Sequence, residues 1–264
     1  MITLTGLFYY PIKSCRGHAL EAAQLDERGL QHDRRFLIVN ADNQFVTQRE
    51  NAKLALLEPH IKNGTLTLTA PGQAPLSIET HSATQRRPVQ IWRDTVEALD
   101  QGEAAAQWLS DYLGETVRLV KFDEAVVRNV SAQYARRPTD QTGFADGYPL
   151  LIISQESLDD LNARLATPLP MNRFRPNLVV SGATPYAEDT WKQIRIGAVV
   201  LDIVKPCARC MITTTDQNTA VRGKEPLATL ATYRDSERGV LFGQNVIHAA
   251  PGMLQLGQIV EVLE

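Results

Sequence analysis

The sequence has little of what usually assigns a protein to a specialised class. Three cysteines in 264 residues are too few for a disulfide framework, and a reducing compartment would keep them as thiols. Aromatic residues make up 6% of the chain and its formal net charge is −3, so no nucleic-acid surface is indicated. No run reaches the roughly 20 apolar residues of a membrane-spanning helix, and no secretory signal is visible. We expect a cytoplasmic protein without a nucleic-acid or membrane partner.

Structural zinc is not expected either. Such a site normally takes four ligands from cysteine and histidine side chains. Beyond Cys207 and Cys210, the remaining candidates are Cys15 and five scattered histidines, none of them paired at ligand spacing.

Short strands are abundant in this sequence. Apolar or alternating runs bounded by turn residues recur in the first part of the chain, with hairpin signals at 40–44 and at Asn63-Gly64. Apolar residues at a 3.6-residue period predict a packing helix over 103–114. This mixture predicts a strand-dominated α+β protein that contains a β-barrel. We divide the chain near its middle, into 1–120 and 121–264.

One stretch, 204–216, organises the rest of the chain. It holds Cys207 and Cys210, and it joins two runs that we predict to be strands, 198–204 and 211–215. A Cys-x-x-Cys pair between two strands can hold a metal, exchange a disulfide or simply pack. The function of the protein depends on which of these it does.

The surroundings of this pair favour the metal. A disulfide-exchanging Cys-x-x-Cys normally lies at a helix N-terminus, and the β-branched residues after Cys210 predict a strand there instead. Lys205 and Arg209 make a purely packing role less natural, because positive neighbours favour a thiolate and a thiolate binds soft metals. The residues themselves do not identify a cofactor.

A turn near the N-terminus, residues 9–17, carries a concentration of donors. Lys13, Ser14 and Arg16 lie in its middle, between a proline and a glycine. Lysine, serine and backbone amides in a tight turn can hold a phosphate or another small anion. A solvated basic loop is an equal alternative.

Polar side chains also precede three predicted apolar strands. Arg34 and Arg35 enter one strand, and alternation points two adjacent side chains to opposite faces, so one of them could face a ligand. Asp146 precedes the second strand, and Arg175 and Asn177 precede the third. Such side chains suit a planar heterocycle or an anion, and capping of the loop is an equal alternative.

Six segments, taken together and in order, resemble one family. They read YPIKSCRG (10–17), DRRF (33–36), FRPNLVVSG (174–182), KPCARCMITTT (205–215), KEPL (224–227) and FGQN (242–245). The chain is similar to MOSC-domain proteins, in the branch with the mitochondrial amidoxime-reducing components and the bacterial YcbX proteins. The resemblance spans nearly the whole chain. It implies an N-terminal MOSC-associated β-barrel domain packed with a β-barrel MOSC domain.

The resemblance implies a molybdenum cofactor, a molybdopterin whose sulfurs bind molybdenum together with one protein cysteine. The family uses the second cysteine of the pair, which is Cys210 here, and Cys207 is then the non-ligating partner. Asp146 occupies a position near the metal where proton transfer is plausible.

The resemblance also assigns residues to the pterin. Lys13, Ser14 and Arg35 correspond to the residues that hold its phosphate, and Arg175 and Asn177 correspond to further pterin contacts. The two halves of the chain would then meet over one ligand.

The implied reaction is the two-electron reduction of small N-hydroxylated substrates, meaning hydroxylamino bases and amidoximes, with the oxygen removed as water. YcbX proteins carry a C-terminal ferredoxin domain, whereas no cysteine follows Cys210 here, so we expect no iron–sulfur cluster in this chain. Electrons would come from a separate donor of the reductase, ferredoxin or cytochrome b5 type. The alternatives are a non-catalytic carrier of the cofactor or of sulfur and, ranked lower, a thiol-disulfide protein.

Overall fold

The computed structural model describes the whole chain, residues 1–264. Its eighteen strands, β1 to β18 in chain order, are Thr3–Tyr9, His18–Ala19, Ala22–Asp26, Gly29–Leu30, Phe36–Asn40, Glu58–Lys62, Thr65–Thr69, Leu76–Glu79, Arg86–Ile91, Asp94–Asp100, Val117–Phe122, Leu150–Ser154, Leu178–Ser181, Gln193–Ile196, Val199–Ala208, Leu241–His248, Gly252–Gln255 and Val260–Val262. Helices α1 to α3 are Glu103–Leu113, Gln155–Ala163 and Leu227–Ala231. Short 3-10 helices are Ala52–Leu56, Met171–Arg173, Ala187–Asp189 and Met211–Thr214. The predicted strand-dominated α+β class is confirmed.

The largest sheet has eight strands in the order β18-β14-β15-β16-β12-β13-β1-β2. Strands β12 and β13 run parallel with α2 between them in sequence, and every residue of β12 is buried. A strand that is covered on both faces carries a continuous apolar run, as Leu150–Ser154 does. Ser154 then caps α2, because its hydroxyl accepts the backbone N–H of Ser157 at 3.2 Å.

Two smaller sheets, β5-β11-β10-β9 and β6-β7-β8, lie in the N-terminal half. Helix α1 buries Ala105, Leu109 and Tyr112 in a core cluster that also contains Phe36 of β5. The helix ends at Gly114, whose φ of 77° gives the left-handed conformation of a glycine stop. The predicted packing helix is therefore confirmed. None of the helices has the length and apolar character that crossing a membrane requires.

The two halves of the chain share their sheets. Strand β1 is antiparallel to β13, and β3 is antiparallel to β17. Leu4 and Leu25 accordingly pack in the same core cluster as Ile152 and Val180. The division into 1–120 and 121–264 stays a prediction. The turn that follows β1 lies between the two halves of the chain.

The strand predicted after the second cysteine is wrong. Met211–Thr214 forms a 3-10 helix, and Cys210 is the extended residue that precedes it. The hydroxyls of Thr213 and Thr214 donate to the carbonyls of Cys210 and Met211, at 3.0 and 2.8 Å. These local bonds close the tight turn and override the strand preference of the β-branched residues. A four-residue turn also lacks the summed dipole of a long helix.

Candidate active site

One cavity contains most of the predicted site residues. It has a volume of about 820 Å³ including its open mouth, and 21 residues line it. The turn after β1 and the segments before and after β5 form one wall, and the residues before β12 and β13 with the end of β15 form the other. Six of the predicted residues line the cavity: Lys13, Ser14, Asp146, Arg175, Asn177 and Cys210. The two halves of the chain therefore do meet at one site.

A short ion pair crosses this cavity. The Lys13 ammonium donates to Asp146 Oδ1 at 2.5 Å and to the Phe144 carbonyl at 2.9 Å, and the Trp92 indole N–H donates to the same carboxylate oxygen at 3.0 Å. Burial acts to raise the pKa of Asp146, but the Lys13 charge and these hydrogen bonds outweigh it and hold the pKa well below its usual range. Burial lowers the pKa of Lys13, and Asp146 opposes that shift.

Solvent reaches the two partners unequally. The Lys13 side chain is 8% exposed, whereas that of Asp146 is 72% exposed, toward the cavity. The carboxylate is therefore available to a ligand, and the cation behind it further favours its ionised form.

One predicted residue lies elsewhere. Arg35 does not line the cavity, because its Nη2 donates to Asp26 Oδ1 at 2.5 Å, and Arg34 lines the cavity instead. Arg34 has a left-handed backbone with a φ of 46°, and its Nη1 donates to Asp33 at 2.6 Å and to Asn177 at 2.9 Å. The adjacent arginines do have separate partners, but both precede β5 and Arg34 is left-handed, so strand alternation is not the reason. Alternation alone could not say which of them faces the ligand.

Asn177 is a buried residue of the cavity wall. Its Oδ1 accepts from Arg34 and from the backbone N–H of Leu151 at 3.2 Å, and its Nδ2 donates to the Phe8 carbonyl at 3.1 Å. The side-chain amide is thus engaged at both ends, so it positions Arg34 and joins β1 to β12. Its role as a pterin contact stays a prediction.

Arg175 has a guanidinium nitrogen without a hydrogen-bond partner. Its backbone is left-handed with a φ of 55°, its guanidinium lies 4.3 Å from the centre of the Tyr10 ring, and its buried Nη2 has no hydrogen-bond partner. Burial lowers the pKa of Arg175 to about 10, which still leaves it cationic at neutral pH. An unpaired buried donor of this kind suits an anionic or carbonyl-bearing ligand.

The three cysteines differ in their surroundings. Cys15 lies in the N-terminal core, where burial raises the pKa of its thiol. Cys207 is half-buried at the cavity wall, and its Sγ accepts from Arg209 Nη1 at 3.0 Å. Cys210 also lines the cavity, is exposed, and has no such partner. The thiol that is free for a ligand is that of Cys210.

The cavity wall carries an excess of positive charge. Its charged residues are the cations Lys13, Arg34, Arg49, Arg175 and Arg209 and the single carboxylate of Asp146. Such a wall favours an anionic ligand, because the low dielectric around it strengthens each attraction.

Sequence reasoning missed several of these residues. Arg49 follows the hairpin after β5, and its guanidinium lies 4.8 Å from the centre of the Trp92 ring. Trp92 itself lies between β9 and β10 with a left-handed φ of 56°. Neither has a local pattern that places it beside Asp146, to which the Trp92 indole donates. Arg209 carried a usable signal, because it lies between the two cysteines.

Comparison with known proteins agrees with this arrangement. Residues 1–116 match the model for the MOSC N-terminal beta barrel domain, and residues 139–261 match the model for the MOSC domain. The chain is 37% identical to mitochondrial amidoxime-reducing component 1 of Homo sapiens, over 99% of this chain and 83% of that protein. It is 35% identical to mitochondrial amidoxime reducing component 2 of Bos taurus, over 88% of this chain and 72% of that protein.

A further relative is a much longer protein. The chain is 32% identical to molybdenum cofactor sulfurase of Oryza sativa subsp. japonica, over 92% of this chain and 32% of that protein. The similarity thus covers both domain models and extends along nearly the full chain. The chain belongs to the MOSC family, in the group that contains the mitochondrial amidoxime-reducing components.

Proposed function

We propose that this protein is a molybdenum-cofactor-dependent reductase that removes the oxygen of small N-hydroxylated compounds, such as amidoximes and hydroxylamino bases. The observation that carries the proposal is the exposed thiol of Cys210 in a cavity with five cationic side chains and one carboxylate. The relatives named amidoxime-reducing components support the reaction class.

The residues present fit such a cofactor. Its phosphate is a strong anion, and the cavity wall offers the cationic side chains of Lys13 and Arg175. A cysteine thiolate is a suitable ligand for a soft metal, and Cys210 offers its sulfur without a competing hydrogen bond from Arg209. Bound there, the cofactor supplies the two electrons that break the N–O bond.

Each wall of the cavity has its own task in this proposal. Cys210 holds the metal, Lys13 and Ser14 hold the phosphate, and Arg34 takes the place first assigned to Arg35. Ser14 has a left-handed φ of 67°, and its carbonyl accepts from Gln48 Nε2 at 2.7 Å, so the turn is preformed.

Asp146 is the group that moves protons. Removing oxygen as water consumes two protons for each two electrons, and Asp146 is the one carboxylate on the cavity wall. A phosphate that binds Lys13 competes with Asp146 for the same ammonium. Sharing the cation weakens the attraction that lowers the pKa of the carboxyl. Loading of the cofactor therefore increases the proton affinity of Asp146.

The test uses protein expressed in a host that makes the cofactor. We expect near-stoichiometric molybdenum in the wild type, and reduction of an amidoxime and of hydroxylaminopurine with an artificial electron donor. Cys210→Ala should lose both the metal and the activity, while Cys207→Ala keeps the metal. Wild-type protein without molybdenum, or unchanged metal content in Cys210→Ala, would refute the proposal.

A carrier of the cofactor or of sulfur is the second candidate, and the similarity to a molybdenum cofactor sulfurase favours it. The same preparation separates the two. A molybdenum-loaded wild type that reduces neither substrate with a competent artificial donor is a carrier.

The proposed reductase takes its electrons from a separate protein of the reductase, ferredoxin or cytochrome b5 type. We retain the cytoplasm as its predicted location, although the amidoxime-reducing relatives are named mitochondrial.

A further inference from the structure

Outside the cavity, three metal-ligating side chains converge on the surface of the N-terminal half. His18 lies on β2, and Glu58 and His60 lie on β6. One ligand atom from each lies within 4.8 Å of the other two, and the centres of the His18 and His60 rings are 4.2 Å apart. None of the three residues lines the cavity described above.

The fold brings together residues that the sequence keeps apart. Strand alternation places Glu58 and His60, two positions apart, on the same face of β6. His18 reaches that face because its Nε2 bonds to the carbonyl of Pro59 at 2.7 Å. The histidines are scattered along the sequence, and His18 and His60 come together only in the folded chain.

We propose that His18, Glu58 and His60 form a binding site for a divalent transition metal of the zinc class. Two imidazoles and one carboxylate are a donor set that Zn²⁺ accepts, with water completing the coordination. The site is separate from the cofactor cavity, and its existence does not depend on the proposed reductase function.

The hydrogen bond of His18 supports a ligand role. Histidines that bind metals commonly donate one ring N–H to a backbone carbonyl, which fixes the ring and leaves the lone pair of the other nitrogen for the metal.

The remaining two ligands can close on the metal. Zn–N and Zn–O bonds of about 2.0–2.2 Å place tetrahedral ligand atoms about 3.3 Å apart. The three ligand atoms now lie within 4.8 Å of one another, so they must move closer to bind the metal. The side chains of His60 and Glu58 are 52% and 37% exposed, so each has room to change rotamer. Glu58 already bonds to His60 Nε2 at 3.1 Å and supplies the negative charge.

A metal at this site would join two parts of the fold. Strand β2 belongs to the eight-stranded sheet, and β6 belongs to the β6-β7-β8 sheet. Coordination would connect the two sheets across a sequence separation of about forty residues, so binding to the folded state should raise its melting temperature.

The experiment titrates ZnCl₂ into the full-length chain by isothermal calorimetry. Cys207→Ala/Cys210→Ala serves as the background, so that exposed thiols do not capture zinc. We expect one equivalent to bind, with affinity reduced at least about tenfold by His60→Ala and by Glu58→Gln. His81→Ala removes an exposed histidine outside the cluster and should leave the affinity unchanged.

A second measurement guards against misfolding. Zinc should raise the melting temperature of the background protein but not that of His60→Ala, whose exposed side chain is not needed for folding. Failure to bind one equivalent, or equal affinity in the background, His60→Ala and Glu58→Gln proteins, would overturn the site. Neither result bears on molybdenum content or reductase activity, so the two proposals fail separately.

Discussion

The two walls of the cavity differ in chemistry. The N-terminal wall supplies Lys13, Arg34 and Arg49, which are all cations. The C-terminal wall supplies both cavity thiols and the carboxylate of Asp146, together with the cations Arg175 and Arg209. The first wall is built to attract and hold an anion, and the second holds the groups that can bind a metal or exchange a proton. Neither wall alone makes the proposed site.

Side-chain hydrogen bonds connect the two halves of the chain near the cavity. Gln48 and Gln217 exchange side-chain hydrogen bonds at 3.0 and 3.1 Å, and Arg16 Nη2 donates to the Gln217 carbonyl at 2.7 Å. Both glutamines are buried. This explains how two distant parts of the sequence keep a fixed separation without a covalent link.

The largest effect is expected from removing the principal cation of the N-terminal wall. Lys13→Ala removes a charged donor to phosphate, and such bonds contribute about 1.5–3 kcal/mol, which is about 10- to 100-fold in affinity for the cofactor. It also releases Asp146, whose pKa should rise. Pterin content of purified protein and carboxyl titration by NMR measure the two effects. Lys205→Ala is the matched control, because Lys205 does not line the cavity.

The adjacent arginines provide the next test. Arg34→Ala should lower cofactor content, since Arg34 lines the cavity. Arg35→Ala should leave the content unchanged and lower the free energy of unfolding by about 1–2 kcal/mol, because it removes a buried partner of Asp26. Measuring both quantities in both variants decides which of the two arginines contacts the cofactor. If Arg35→Ala lost the cofactor while remaining fully stable, Arg35 and not Arg34 would be the residue that holds the phosphate.

Much of the candidate site could be predicted from the sequence. The order of short motifs predicted that Lys13, Ser14, Arg175 and Cys210 serve one site, and the position of Asp146 before an apolar strand added it to them. The structure places all five in one cavity. Such motifs contain the residues that a ligand requires, so their placement follows from the resemblance without knowledge of the fold.

Residues outside the motifs could not be predicted in this way. Trp92 reaches Asp146 only because β9 and β10 form a hairpin beside the cavity, and His18 meets His60 only through tertiary packing. The strand predicted after Cys210 failed for another reason. Side-chain hydrogen bonds of Thr213 and Thr214 to nearby carbonyls compete with strand formation, and residue preference does not count them.

A smaller effect on cofactor affinity is expected from the glutamine pair that joins the two walls. Gln217→Leu keeps the side-chain volume but leaves the amide of Gln48 without its partner, at a cost of about 1–3 kcal/mol in the free energy of unfolding. Cofactor affinity should fall by less than about tenfold, because Gln48 still bonds to the Ser14 carbonyl. Urea unfolding measures the first quantity, with the exposed Gln107→Leu as control. Loss of affinity without loss of stability would mean that the glutamine pair contacts the ligand.

The smallest expected effect concerns the ion pair that spans the two walls. The Lys13 cation lowers the pKa of Asp146 in the folded protein below its ordinary value of 3.8, against the opposing effect of burial. The stabilisation is therefore fully present above about pH 5, and it is lost as the pH falls below 4 through the lower folded pKa. Because 72% of the Asp146 side chain is exposed, we expect no more than about 1 kcal/mol.

Asp146→Asn makes this contribution measurable in the protein without cofactor. The difference in unfolding free energy between wild type and Asp146→Asn should be constant from pH 7 to 5 and shrink below pH 4. The exposed Asp42→Asn serves as the control for general acid effects. A difference that grows as the pH falls would mean that Asp146 is protonated in the resting site. The carboxyl would then already hold its proton before any phosphate reached Lys13, and loading of the cofactor would have no part in supplying it.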